Sequence, residues 1–349
     1  MQIQENVTLA PLTTLQVGGP ARYFAEITSA DEAREATQFA SKRSVPLFIL
    51  GGGSNVLVSD RGFPGLVLHV AVLGINHRHG REATAYFDVG AGEDWDGFVA
   101  GAVTHHCSGV ECLSGIPGSV GGTPVQNVGA YGQEVSETID SVIALDVKTG
   151  EEQEFDKQDC RFGYRTSIFN TSQRGRWLIL RVSYALRHGG EPKIVYEDLQ
   201  KYFADLGRTP TLEEARDAVR KIRARKAMLI TPGDDDSRSA GSFFKNPVLS
   251  IAEFTELTRR AEAKGLKVPN YPAVEARRKI SAAWLVENSG FQKGYALGRA
   301  GISRRHALAL VNRGGSTAVE ILALKDRIQQ AVQVTWGVEL EPEPVFVGF

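Results

Sequence analysis

Two glycine-rich stretches, one isolated arginine, one serine among aromatic rings and two carboxylates alternating with prolines carry the chemistry open to this chain. The run LSGIPGSVGGTPVQNVGAYG (113–132) alternates glycines with two prolines. Each Gly permits positive φ or a close approach of backbone to a ligand, and each Pro fixes φ. Gln126, Asn127 and Tyr131 add hydrogen-bonding side chains. A solvent linker needs no such mixture, whereas a backbone cradle for phosphates and a flat heteroaromatic ring does. No Gly-Lys-Ser/Thr closes the run, so it is not a Walker loop, and it lacks the Rossmann spacing. The second stretch, GGGSNVLVSD (51–60), follows an apolar strand directly. Gly51, Gly52 and Gly53 with Ser54 and Asn55 can turn a row of N–H groups toward an anion. Alone it reads equally as a tight turn between strands; beside the 113–132 run, a two-part dinucleotide cradle is the better reading.

FGYRTSIF (162–169) sets Arg165 beside Tyr164 in an apolar turn. A buried guanidinium needs an anionic partner, and its planar fork suits a carboxylate; the plain alternative is a structural salt bridge. SAGSFFKNP (239–247) surrounds Ser242 with small residues, then two Phe, then Lys245 and Asn246. A Ser among apolar rings near a cation could act as a proton donor, although an ordinary loop Ser is the plainer reading of these residues alone. It is not a Gly-x-Ser-x-Gly elbow, and no His–Asp pair makes it a nucleophile. Glu341 and Glu343 alternate with Pro342 and Pro344 near the C-terminus, where a constrained strand could bring a carboxylate to a site; a solvated acidic terminus is the plain alternative. In KIRARK (221–226), Arg223 and Lys226 share one helix face and could meet phosphates. None of the seven His has metal-ligand spacing, and His105-His106 reads as part of a helix. No metal site is expected.

The elements that must position these groups are legible in outline. A helix over 31–44 opens on Asp31. Strand-like runs fall at 46–60 around the glycine turn, at 66–70, 86–90 and 142–147, then at 151–155 as the second arm of a hairpin, and at 177–186. Thr211 with Glu214, and Ser250 with Glu253, form capping boxes ahead of helices. An amphipathic pattern fills 316–337, and the tail VELEPEPVFVGF is extended and expected to pack back onto the body. Linkers are expected near 187–193 and at 229–240, where TPGDDDSRS marks an exposed acidic loop.

A chain of 349 residues with a 42% hydrophobic fraction allows two or three domains. The net charge of −1 provides no field for nucleic acid or an anionic membrane. The start has neither a basic n-region nor an apolar h-region, and no apolar run reaches membrane-span length. A cytoplasmic protein is the expectation, with Cys107, Cys112 and Cys160 as reduced thiols.

Taken together, GGGSNVLVSD, SGIPGSVGG with QNVGAYG, YRTSIF, SAGSFFKNP and SAAWLVENSGF, in that order, resemble the UDP-N-acetylenolpyruvoylglucosamine reductases, flavoenzymes of peptidoglycan precursor synthesis. The resemblance runs from TTLQVGGPARYF (13–24) to the tail. It implies an α+β fold: a vanillyl-alcohol-oxidase-type two-part FAD-binding fold plus a C-terminal α+β substrate-binding domain. The implied divisions are 1–70 and 71–225 for FAD, 226–336 for the UDP-sugar, and 337–349 as a tail returning to the active site. VYEDL around Tyr196 resembles the subgroup whose Tyr loop folds over substrate.

By motif, the resemblance makes Arg165, Ser242 and Glu343 catalytic, and Tyr196, Lys226, Asn246 and His306 substrate-binding. It assigns FAD to Gly51, Gly52, Gly53, Ser54, Asn55, Ile116, Pro117, Gly121, Gly122, Gln126, Asn127, Gly129, Tyr131, Tyr164 and Arg223. Pro344 stands where Val is common, His306 where the Tyr-loop subgroup can have Gln, and the acidic 231–239 loop is long. The implied reaction passes hydride from NADPH through FAD to the enolpyruvyl ether of UDP-N-acetylglucosamine-enolpyruvate, in a monomer. The alternatives are an FAD-dependent oxidase of an alcohol or sugar, and a non-catalytic flavin-binding sensor.

Overall fold

In the computed structural model, which describes residues 1–273 and 276–349, the chain divides into two units. The first takes Met1–Val7, Ala21–Gly53 and Phe63–Leu229; the second takes Thr8–Pro20, Ser54–Gly62 and Ile230–Phe349.

The first unit contains two sheets. One is ordered Gln4–Thr8, Pro20–Ile27, Phe63–Val70, Leu47–Leu50, and its inner pairs are parallel. Leu66, Val67 and Leu68 are fully buried, the continuous apolar run expected of a parallel strand covered on both faces. Helix α1 (Ala30–Arg43) connects two of these parallel strands and buries Ala33, Ala36 and Ala40. The sequence places the opening of this helix on Asp31, but Ser29 is the cap. Ser29 is extended at φ −148°, and its hydroxyl accepts from the Glu32 N–H. Asp31 lies inside the first turn and pairs with Arg34 at 2.6 Å.

The second sheet is antiparallel, ordered Glu152–Asp156, Ile139–Asp146, Trp177–His188, Thr84–Gly90, Ile75–His79. Its long strand Trp177–His188 also pairs with Cys107–Ser108. Glu152–Asp156, Ile139–Asp146, Trp177–His188 and Thr84–Gly90 fall on the expected runs, including the hairpin, whereas Ile75–His79 and Cys107–Ser108 lie outside them. Trp95, Phe98 and Tyr184 are fully buried against one another. The Tyr184 hydroxyl shares a 2.7 Å hydrogen bond with Thr123, so the polar end of a buried ring is satisfied. Helix α2 (Trp95–Thr104) ends before the His pair, which corrects the expectation that both lie in a helix. His105 is its C-cap and turns Nδ1 onto the Gly101 carbonyl at 2.8 Å, and His106 has φ +55°.

Two further helices, α3 (Glu197–Tyr202) and α4 (Leu212–Arg225), complete the first unit. The Thr211–Glu214 capping box forms as expected. Asp96, at the start of α2, ties these parts together. It accepts from the Gly115 N–H at 2.6 Å and from Arg216 at 2.5 Å, and it pairs with Arg220. Burial pushes its carboxyl up, but the Arg216 and Gly115 hydrogen bonds and the two Arg charges outweigh it, leaving a net lowered pKa. A carboxyl held below its unfolded value contributes stability above the ordinary Asp range, and that contribution is lost as pH falls through the folded value. Asp96→Asn should therefore cost about 2 kcal/mol at neutral pH, the scale of charge-assisted hydrogen bonds. Urea unfolding should show the gap between variant and parent closing below about pH 4; a gap independent of pH would refute this.

The second unit is built on helices α5 (Ile251–Glu262), α6 (Ala282–Glu287) and α7 (Ala318–Trp336) with short strands. The Ser250–Glu253 box caps α5, and a Thr317–Glu320 box caps α7. Ile321, Leu324, Ile328 and Val332 of α7 are fully buried in a core with Leu285, Leu310 and Leu340. Leu15, Val17 and Leu57, from the two short N-terminal pieces, belong to the same core. The tail does pack back: Val345–Val347 pairs in parallel with Val56–Val58. Among the described residues no helix is long and apolar enough to cross a membrane, and no group of three or more His, Cys, Asp or Glu could hold a metal ion. Cys107, Cys112 and Cys160 are buried and form no disulfide, and burial pushes the Cys160 thiol up to about 12.

Candidate active site

In the first unit the two glycine stretches meet. A Cβ on Gly52 would lie 2.6 Å from the Gly118 Cα and 2.8 Å from the Ser119 N, and one on Gly51 would lie 2.7 Å from the Ser119 Oγ. Only glycine allows this backbone-on-backbone approach. The Gly52 N–H donates to Ser119 Oγ at 3.2 Å. The N–H groups of Gly121 and Gly122 are used internally, by the carbonyls of Ala91 and Ser119. At these two positions the run contributes shape rather than an amide row.

The rest of the run is held under backbone strain. Asn127 (φ +45°), Tyr131 (φ +48°) and Arg165 (φ +57°) are all left-handed non-glycine residues, a conformation that persists only where surroundings enforce it. Asn127 donates to Glu134 at 2.8 Å and to the Gly163 carbonyl at 3.0 Å, locking the 127–134 and 162–167 segments together. Arg165 Nη2 donates to the Gly129 carbonyl at 2.6 Å, and its guanidinium lies 5.4 Å from the centroid of the Tyr164 ring. Gln126 lies in the same segment, next to Asn127.

A second cluster surrounds Tyr131. Its ring meets Tyr196 edge-on at 5.3 Å, and the Lys226 ammonium sits 6.0 Å from its centroid. Arg223 is buried. It donates to the carbonyls of Gly115 at 3.1 Å and Met228 at 2.7 Å, and it has the Tyr131 hydroxyl as a partner. Burial pushes the Tyr131 hydroxyl up, and the Arg223 and Lys226 charges oppose that. Lys226 pairs with Asp198 at 2.6 Å, a residue the motifs do not single out. Its place two residues after Tyr196, at the start of α3, was the available signal.

In the second unit the tail fixes a different group. The Glu343 N–H donates to the Phe243 carbonyl at 2.9 Å, Phe244 bridges Pro342, and the Lys245 N–H donates to the Glu341 carbonyl at 2.9 Å. Residues 243–245 and 341–343 are thus an antiparallel pair, with Ser242 and Glu343 at one end. Asn55 Nδ2 donates to the Glu343 carbonyl at 3.3 Å, and the Asn55 carbonyl accepts the Val345 N–H at 2.9 Å. Pro344 falls between Glu343 and Val345, the tail residues whose N–H groups donate, so it removes no bond from this ladder. Phe243 and Phe244 are buried and the Phe243 N–H is bound by the Leu308 carbonyl, so Ser242 rides on a rigid strand. Asn246 uses its side-chain oxygen to accept the Ala282 N–H at the start of α6. The His306 Nδ1 accepts from the Leu308 N–H, and Asp234 and Asp236 of the acidic loop grip the neighbouring Arg305.

The named residues therefore form groups within units. Gly51–Gly53, the 116–131 segment, Tyr164, Arg165, Tyr196, Arg223 and Lys226 belong to the first unit; Ser54, Asn55, Ser242, Asn246, His306 and Glu343 belong to the second. The first set fits FAD. It offers two glycine stretches that approach too closely for any Cβ, and a buried guanidinium, Arg223, beside a tyrosine, Tyr131.

Comparison with known proteins agrees. Residues 21–156 match the model of an FAD binding domain, and residues 232–347 match that of the C-terminal domain of UDP-N-acetylenolpyruvoylglucosamine reductase. The UDP-N-acetylenolpyruvoylglucosamine reductase of Thermobifida fusca is 43% identical over 348 residues, covering 98% of this chain and 97% of its own length. The chain belongs to the UDP-N-acetylenolpyruvoylglucosamine reductase family. A reductase of that name from Burkholderia multivorans is 40% identical over 338 residues, with 97% and 95% covered. The crystal structure of the family member from Thermus caldophilus superposes with a TM-score of 0.68 at 26% identity, covering 99% of both chains. The expected α+β architecture, an FAD-binding part followed by the family's C-terminal domain, is borne out, and FAD is the cofactor of the family fold.

Proposed function

We propose that this chain reduces the enolpyruvyl ether of UDP-N-acetylglucosamine-enolpyruvate to UDP-N-acetylmuramate, with NADPH as reductant, in the cytoplasmic synthesis of peptidoglycan precursors. The observation that carries this is the antiparallel pairing of 243–245 with 341–343, which seats Ser242 and Glu343 on one rigid pair of strands. FAD, held by Gly51–Gly53, Ser54, Asn55, the 116–131 segment, Tyr164 and Arg223, would supply two-electron transfer between NADPH and the enolpyruvyl group.

The protein's own part concerns C2 of that group and the carboxylate. Charge develops at C2 and spreads into the attached carboxylate, so a fixed guanidinium there stabilises the transition state more than the ground state. Arg165 fills that role. Ser242 donates the proton that ends at C2; a hydroxyl is a weak acid, but the carbanion-like carbon is a strong base. Glu343 orients and polarises the carboxylate end, sharing a proton or cation with it, because two bare carboxylates would repel each other. Tyr196, Lys226, Asn246 and His306 hold the UDP-sugar, and the segment around Tyr196 acts as the substrate-covering loop. The division into 1–70, 71–225, 226–336 and a 337–349 tail belongs to the same reading, as does a monomeric enzyme.

Purified enzyme should be yellow and should oxidise NADPH rapidly only when UDP-N-acetylglucosamine-enolpyruvate is present. Rapid oxygen consumption with an alcohol or sugar and no need for NADPH would replace this reading with an oxidase, and a colourless protein would end it.

A further inference from the structure

Glu111 takes no part in the chemistry above, yet it is a fully buried carboxylate on the short turn Glu111–Leu113. One oxygen accepts the Gly109 N–H at 2.7 Å. The other accepts two donors from distant segments, the Gln133 side-chain amide at 2.7 Å and the Lys193 backbone N–H at 2.9 Å. Gln133, itself buried, is locked in turn because its oxygen accepts the Cys112 N–H at 2.8 Å. The Cys112 thiol donates to the Lys193 carbonyl at 3.3 Å, so both backbone groups of Lys193 are held.

Lys193 is the root of the segment carrying Tyr196 and Asp198. Beyond it, Ile194 packs on the small core of Cys112, Leu199, Val219 and Ile222. A Cβ on Gly132 would lie 2.6 Å from Val195 Cγ2, so the segment presses on the 129–134 backbone. We propose that Glu111 is a positioning residue that clasps the 193–199 segment to the 129–134 segment, so that Tyr196 and Lys226, both seated against the Tyr131 ring, meet the UDP-sugar as one preset surface. This rests on the function proposed above.

An amide cannot replace this carboxylate. Whichever way a glutamine side chain turned at this position, its NH₂ would face a donor, and Gln133 cannot flip without abandoning the Cys112 N–H. One unsatisfied buried donor is worth roughly a tenfold effect or more. In FAD-loaded Glu111→Gln enzyme, KM for UDP-N-acetylglucosamine-enolpyruvate should rise ~10-fold. kcat and the rate of flavin reduction by NADPH should stay within about twofold, since the residue touches no reacting atom. Hydrogen exchange over 193–199 should accelerate ~10-fold while Trp95–Thr104 is unchanged.

The double variant Glu111→Gln with Gln133→Glu restores the 111–133 pair but leaves the Lys193 N–H facing an NH₂. It should recover stability and keep the raised KM, and it decides the matter if the single variant does not fold. Wild-type KM and wild-type exchange in either variant overturn the clasp. Loss of FAD from both also overturns it, because Glu111 would then be holding the flavin part itself. If wild-type enzyme fails to turn over the UDP substrate, the proposed function falls, and the exchange measurement alone decides the clasp.

Discussion

Ser242→Ala should bind FAD, accept hydride from NADPH at the parental rate and then stall, with the substrate half-reaction slowed ~10²–10⁴-fold, the usual worth of a positioned proton donor. The fold around it gives little reason for collateral damage. The strand is held by backbone bonds, Phe243 N–H to Leu308 and Glu343 N–H to Phe243, and by two buried Phe rings, none of which uses the Ser242 hydroxyl. Anaerobic stopped-flow at the flavin absorbance separates the two halves: the bleaching on NADPH should be normal and the recolouring on UDP-N-acetylglucosamine-enolpyruvate should be slow. Ser242→Cys, with a more acidic group of similar reach, should recover part of the loss. Parental recolouring in the Ala variant would remove Ser242 from the mechanism.

Arg165→Gly is the second large effect, and its two consequences should diverge. Loss of a preorganised charge at a developing carboxylate–enolate costs ~10²–10³-fold in kcat/KM. Thermal stability should not fall in parallel. Arg165 is at φ +57°, where a side chain is strained and glycine is not, so the gain of ~1 kcal/mol from relief offsets the lost bond to the Gly129 carbonyl. An unchanged or raised Tm together with a collapsed rate, partly restored by added guanidinium ion, marks a residue kept for chemistry. A Tm that drops in step with activity would assign Arg165 to structure, as a clamp on the 129–134 segment.

What could be read from the sequence was local. The capping boxes at Thr211–Glu214 and Ser250–Glu253 were legible because a cap and its partner are three residues apart. The glycine-rich run was legible because glycine permits, and proline fixes, unusual backbone φ at their own positions. Even locally, competition misled: Ser29 and Asp31 are both good caps, and only the extended backbone at Ser29 shows which one was used. The His105–His106 pair shows the same limit, since nothing nearby announces that α2 stops at Thr104. Non-local facts left no local trace. That Gly52 owes its lack of a side chain to Gly118, that Asn127 is locked by Gly163, and that Asp198 answers Lys226 all depend on segments brought together by the sheets. The assignment of Thr8–Pro20 and Ser54–Gly62 to the second unit is the furthest from any signal within those stretches.

The pairing of Val345–Val347 with Val56–Val58 sets the order of events during synthesis. Asn55 and Glu343 are 288 positions apart, so one partner leaves the ribosome long before the other exists. Contacts of such separation form late and slowly, because the loop they close must be ordered first. The first unit, whose last residue is Leu229, can gather its sheets while translation continues. The strand at 56–58 must wait, its edge unpaired and open to wrong partners. Chains ended before Val345 would therefore leave the 56–58 edge and the Asn55 carbonyl without their partners, however complete the first unit has become.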